Sequence, residues 1–224
     1  MLESGKILNL REIYELLYSH YGDLGWWPAD NDEEIIIGSV LTQNTSWKNV
    51  EIALRRMKDY QILGLSEICG SNMDTIKKAI MPSGFYNRKA MTLKRLSAGI
   101  IERFGSLEAM KRQTAIDVTT FLRSIHGIGP ETRDDILLYA LGFPAFIIDS
   151  YTTRIFTRFT GKEKYQHDLL MGKVPISDIG LNVDELKNIH AMLVLTAKEH
   201  CRKIPVCKGC PLETKCSFAL EKEK

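Results

Sequence analysis

The chain has 224 residues, 44% hydrophobic and 26% charged, with a net charge of only +2. That balance suits a globular protein of one or two domains with a sizeable core and demands no polyanionic partner. Residues 1–10 hold no long apolar run, so no signal peptide is expected; the longest such run, 136–148, is 13 residues broken by Gly142 and Pro144, too short for a bilayer. These features predict a cytoplasmic protein with no membrane association.

In chain order, almost every segment carries helical spacing. Leu10, Ile13, Tyr14 and Leu17 form an apolar stripe behind Asn9, a natural N-cap. Acidic residues at 30–34 precede the apolar segment 35–41, where negative charge favours a helix N-terminus. Ala90, Leu93, Ser97, Ile100 and Phe104 predict a long helix between 87 and 104. Two further helices, 114–123 and 131–141, flank the sequence SIHGIGPE at 124–131, and others are expected from about Asp149 and over 185–200. No alternating run exceeds four residues, and there is no low-complexity linker or 20–50-residue repeat. The fold class is all-α.

Gly127 and Gly129 flank Ile128 between two predicted helices, and glycine leaves backbone N–H groups unobstructed. Such a turn can offer amides and a helix N-terminus to a phosphate, with Pro130 suited to the first helical position. Basic residues cluster at Arg55-Arg56-Lys58, Lys77-Lys78, Arg88-Lys89, Lys94-Arg95 and Lys111-Arg112. Each pair alone reads as a solvated helix face; together with the glycine turn they favour a nucleic-acid partner. Cys69 stands alone, whereas Cys201, Cys207, Cys210 and Cys216 crowd into sixteen residues, which in an intracellular protein points to metal or cluster ligation rather than disulfides.

The segments GSVLTQNT (38–45), SGFYNRKA (83–90), HGIG (126–129) and IDSY (148–151), followed by the cysteine run, resemble in order and spacing the helix-hairpin-helix DNA glycosylases of the endonuclease III superfamily. The resemblance covers nearly the whole chain. It implies a two-lobed all-α fold with the active cleft between a helical bundle (33–145) and a discontinuous second lobe (1–32 plus 146–224) that bears the cysteine loop. It implies that Gln43 fills the space left by an extruded base and that Phe85 wedges near the unpaired partner base. By itself, Phe85 reads equally as a core aromatic. His126, Gly127, Ile128 and Gly129 would hold a phosphate, and Asp149 matches the catalytic aspartate, while its place at a helix start also makes it an N-cap. The implied partner is double-stranded DNA containing a damaged base, bound by a nucleoid-associated monomer.

One departure bears on the chemistry. Bifunctional members carry a lysine two residues after the second hairpin glycine, whose amine attacks the sugar and cuts the strand by elimination. Here that residue is Glu131, which cannot form an imine, so a hydrolytic enzyme with little or no lyase activity is expected. Trp26, Trp27 and Trp47 fall in two places near the implied base pocket, where their other role is packing. A flat electron-rich pocket stacks on cationic alkylated purines. The pattern is similar to the bacterial 3-methyladenine glycosylase branch.

The cysteines are spaced C-x5-C-x2-C-x5-C, one residue short in the first gap relative to the superfamily, and imply a [4Fe–4S] cluster that aims Arg202 and Lys203 at phosphates. Structural zinc, the alternative, prefers two close cysteine pairs, and only one C-x2-C is present. Two other functions share most of these features: an endonuclease III-like glycosylase for oxidised or mismatched bases, and a non-catalytic iron–sulfur damage sensor that would not need Asp149. His126, His190 and His200 read as hydrogen-bonded or surface residues.

Overall fold

The computed structural model describes residues 9–161 and 180–222, and every regular element among them is helical, as the hydrophobic spacing predicts. The chain forms two compact units, a continuous one (Trp27–Phe143) and a split one (Met1–Trp26 with Pro144–Lys224). No helix of the described residues is long and apolar enough to cross a membrane.

In the continuous unit, α2 (Asp32–Leu41) starts at Asn31, whose side chain accepts the Glu34 amide at 2.9 Å, with three acids in its first turn. Ile36, Ile37, Gly38, Val40 and Leu41 are all buried, so α2 is the core helix of this unit rather than an amphipathic one. Then follow α3 (Trp47–Asp59), α4 (Leu65–Gly70), α5 (Met73–Ile80) and a 3-10 turn (Met81–Ser83), none of which the periodicity had delimited. The predicted long helix is α6 (Tyr86–Phe104), and Ala90, Leu93, Ser97 and Ile100 are its buried stripe. α7 (Leu107–Lys111) leads to α8 (Ala115–Ser124), capped by Thr114, whose hydroxyl accepts the Asp117 amide.

The helix expected over 131–141 begins as α9 (Pro130–Asp135) but becomes a π-helical turn over Ile136–Ala140. The wider turn coincides with five consecutive buried residues, which an amphipathic α-helix would divide between core and solvent.

In the split unit, α1 (Leu10–Tyr21) is capped by Asn9 and buries Leu10, Ile13 and Leu17. α10 (Ser150–Thr160) starts at Asp149, and α11 (Val183–Glu199) starts with a capping box between Asn182 and Glu185. Arg11 of α1 pairs with Glu185 at 2.6 Å, and Asn188 of α11 bonds the Leu24 amide and the Gly22 carbonyl, tying the chain after α1 to α11. The cysteine loop after α11 ends in α12 (Ser217–Lys222).

Candidate functional site

Within the continuous unit, α8 and α9 form the glycine hairpin. Ile128 closes it by donating its amide to the Ile125 carbonyl at 3.1 Å. The two glycines do different work. Gly127 has φ +99, and a Cβ there would lie 2.1 Å from Thr92 Oγ1, so both conformation and space require glycine. Gly129 is extended, with open space around it, and serves as the N-cap of α9 ahead of Pro130. Both are exposed, and among the described residues their amides donate to no protein acceptor. That leaves two N–H groups for an anion or for water. His126 is exposed and its carbonyl accepts a 3.4 Å bond from Thr92, while Ile128 is half-buried. Glu131 is exposed in the first turn of α9, where a carboxylate complements the helix N-terminus.

Gln43 lies just past the C-terminus of α2, and its amide donates to the Gly127 carbonyl at 3.0 Å and to Thr132 Oγ1 at 2.9 Å. The fold thus brings Gln43 onto the hairpin, 84 residues away in sequence. Phe85 immediately precedes α6, with φ 44 and ψ 29, and is 62% exposed. It is not a core aromatic. A bulky residue in the left-handed region is strained, and such strain persists only where the surroundings impose it.

The three tryptophans separate. Trp27 packs against Trp47 edge-on at 5.6 Å and against Tyr139 at 5.0 Å, while the Trp47 indole N–H donates to Glu51. Trp26 belongs to the split unit, where the Lys198 ammonium lies 5.9 Å from its ring. The basic clusters also divide. Lys111 pairs with Asp32 and Glu108, Lys94 donates to the Cys69 carbonyl, and Lys89, read from sequence as half of a surface pair, is 2% exposed.

In the split unit, Asp149 is 9% exposed and caps α10, its Oδ1 accepting the Thr152 amide at 2.7 Å. Its Oδ2 lies 3.9 Å from His190 Nε2, beyond hydrogen-bond distance. Burial pushes the carboxyl upward, but His190 and the Thr152 amide outweigh it and hold Asp149 below the ordinary carboxylate value. The result is a buried, ionised carboxylate with one oxygen committed to the helix end. Sequence reasoning missed His190 as Asp149's neighbour. Its one signal was its place inside the apolar run IHAMLVL (189–195), which marks a buried histidine but not its partner.

Cys201, Cys207, Cys210 and Cys216 all line one cavity in the split unit, with Arg158, His200 and Leu212 among its walls. Burial and the three other thiols push the Cys210 thiol up to about 11, against the Leu212 amide. Two arginines of α10 hold the loop: Arg154 donates to the Cys201 carbonyl at 2.7 Å, and Arg158 to the Cys201 sulfur at 3.3 Å and to the carbonyls of Arg202 and Lys203. Among the described residues, no group of three or more histidines, cysteines or acids is arranged to hold a single metal ion. Arg202 and Lys203 are exposed, although the Arg202 Nε donates to the Lys198 carbonyl.

The continuous unit thus carries an exposed glycine hairpin at the start of α9, and the split unit a buried aspartate that caps α10. Residues 37–173 match the HhH-GPD superfamily base excision DNA repair proteins, and the chain belongs to that family. It is 37% identical over 218 residues to a Methanocaldococcus jannaschii protein provisionally named a DNA repair glycosylase, covering 96% of this chain and 99% of that one. A thymine/uracil-DNA glycosylase of Pyrobaculum aerophilum is 25% identical, covering 92% of this chain and 90% of the other. Among solved structures, an endonuclease III bound non-covalently to DNA superposes with a TM-score of 0.74 at 20% identity, covering 97% of this chain and 99% of that one, which shows the shared fold.

Two outcomes follow from this geometry. A carboxyl 13C titration of Asp149 has its midpoint below 3.8 in the wild type, and His190→Asn moves it upward. Because the folded value lies below the unfolded one, this group's stabilisation is present above the unfolded value and is lost as pH falls through the folded value. Gly127→Ala lowers the unfolding free energy by about 2 kcal/mol or more in denaturant melts. Adding Thr92→Ala recovers only part, since it relieves the clash and leaves the backbone strain.

Proposed function

We propose that this DNA glycosylase is monofunctional: it hydrolyses the N-glycosidic bond of a damaged base extruded from double-stranded DNA and leaves the abasic strand uncut. The observation that carries this reading is Glu131 at the position where bifunctional relatives place a lysine. Hydrolysis then rests on Asp149. Cleavage builds positive charge on the sugar, and a buried ionised carboxylate stabilises that charge and orients or deprotonates water. The exposed amides of Gly127 and Gly129, with His126 and Ile128, hold a phosphate; Gln43 and Phe85 enter the duplex; Arg202 and Lys203 contact the backbone. The protein acts as a monomer on nucleoid DNA.

The base, on this proposal, is an alkylated purine such as 3-methyladenine. Supporting it are the half-buried rings of Trp27 and Trp47, backed by the buried Tyr139, which suit a cationic base; Trp26 lies beside Lys198 instead. A second reading, removal of uracil or thymine from mismatches, is favoured by the name of the Pyrobaculum relative, which matches over most of both chains.

A [4Fe–4S] cluster held by Cys201, Cys207, Cys210 and Cys216 completes the proposal. Supporting it, all four thiols line one cavity. When bound, the cluster staples the loop that presents Arg202 and Lys203.

A panel of duplexes carrying 3-methyladenine, uracil opposite guanine, thymine opposite guanine or an oxidised pyrimidine tests the reading. Base release is expected with strand cleavage only after alkali, and borohydride traps no covalent complex. Trapping would refute monofunctional hydrolysis, and release of uracil or thymine alone would replace the first base assignment by the second. Asp149→Asn, which still caps α10 but gives up the carboxylate's stabilisation, is expected to melt lower yet stay folded at the assay temperature, while losing roughly a hundredfold or more in rate. Retained activity would refute the mechanism. Anaerobically purified protein should contain about four iron and four sulfide per chain; stoichiometric zinc without iron would refute the cluster.

A further inference from the structure

Lys89 sits in the first turns of α6 with its ammonium buried, donating to the Leu41 carbonyl at 2.8 Å and to the Ser83 carbonyl at 2.7 Å. Among the described residues no carboxylate pairs with it, and burial lowers its pKa to about 8. A buried cation without an anion is unfavourable, and a site needing only packing is served as well by methionine or leucine. The two carbonyls explain the cation. Leu41 is the last residue of α2, whose C-terminal carbonyls lack helical partners and carry partial negative charge. Ser83 ends the 3-10 turn that leads through Gly84, φ 70, into Phe85.

Each carbonyl lies two residues before a side chain assigned above to the DNA: Leu41 before Gln43, and Ser83 before Phe85. One ammonium therefore bonds both turns. We propose that Lys89 is a positioning residue for duplex opening, its ammonium tying the Gln43 turn to the Phe85 turn so that the two side chains enter DNA as a fixed pair. This rests on the reading that Gln43 and Phe85 are inserted. A purely structural lysine would lower stability but would leave the folded protein's grip on DNA unchanged.

The test uses the full chain and a duplex with a tetrahydrofuran abasic analogue opposite 2-aminopurine, whose fluorescence rises when it is unstacked. Wild type raises the signal, and Gln43→Ala and Phe85→Ala each lower it. Lys89→Met, at a temperature where melting curves show it folded, cuts the rise at saturating protein by about threefold or more while the dissociation constant moves less than about threefold. Lys89→Arg, which keeps charge and donors, restores at least half. Should Lys89→Met melt below the assay temperature, Lys89→Gln takes its place with the same expectation. A folded Lys89 variant with the full signal, beside Gln43→Ala and Phe85→Ala that lose it, overturns the proposal alone. If both alanine variants keep the full signal, the insertion reading fails and this inference falls with it.

Discussion

The bond from the Thr152 amide to the Asp149 carboxylate, 2.7 Å long and buried, fixes the start of α10, on which the proposed chemistry of the split unit depends. A helix start leaves amides unpaired, and an acid there satisfies one while gaining from the helix dipole. In Asp149 that local requirement coincides with a chemical one. The cap holds the carboxylate in one orientation, the dipole and His190 keep it ionised despite burial, and Oδ2 remains outside the cap bond. On the proposed mechanism the cap and the catalytic carboxylate are one geometry, which is why asparagine is the informative replacement: it keeps the cap and removes the charge.

The same helix extends this organisation to the cysteine loop. α10 begins at Asp149, and its Arg154 and Arg158 reach the carbonyls of Cys201, Arg202 and Lys203. A loop with little regular structure cannot satisfy its own carbonyls, and two guanidiniums supply the missing donors. The loop's backbone is thus fixed to the element that carries the aspartate.

In the continuous unit the helix ends again set the rules. Gln43 reaches the Gly127 carbonyl in the hairpin, and Lys89 reaches the terminal carbonyl of α2. These bonds join the turn after α2 to two others, the hairpin and the turn before α6. Phe85 holds a left-handed conformation that an isolated chain would abandon, and the Ser83 carbonyl two residues before it is held by Lys89. The turn before α6 is precise because its buried donor and acceptors have no alternative partner.

How much of this could be read from the residues varies by element. The stripes of α1 and α6 were legible because their apolar positions recur at helical spacing, and Asn9 declared itself as a cap. The short α4 and α5 were not, since six and eight residues carry too few turns for a period to emerge. The π turn was hidden because its residues are apolar throughout, which no periodicity resolves. Of the site, Gly127, Glu131, Asp149 and the four cysteines stood out because their chemistry depends on residue type and local spacing. The partition of the tryptophans, the exposure of Phe85, the pairing of His190 with Asp149 and the burial of Lys89 were decided only by tertiary structure. Each depends on which distant segments meet: 41 residues separate Asp149 from His190, and 48 separate Leu41 from Lys89. A sequence states what each residue is able to do; packing decides which neighbours it does it with.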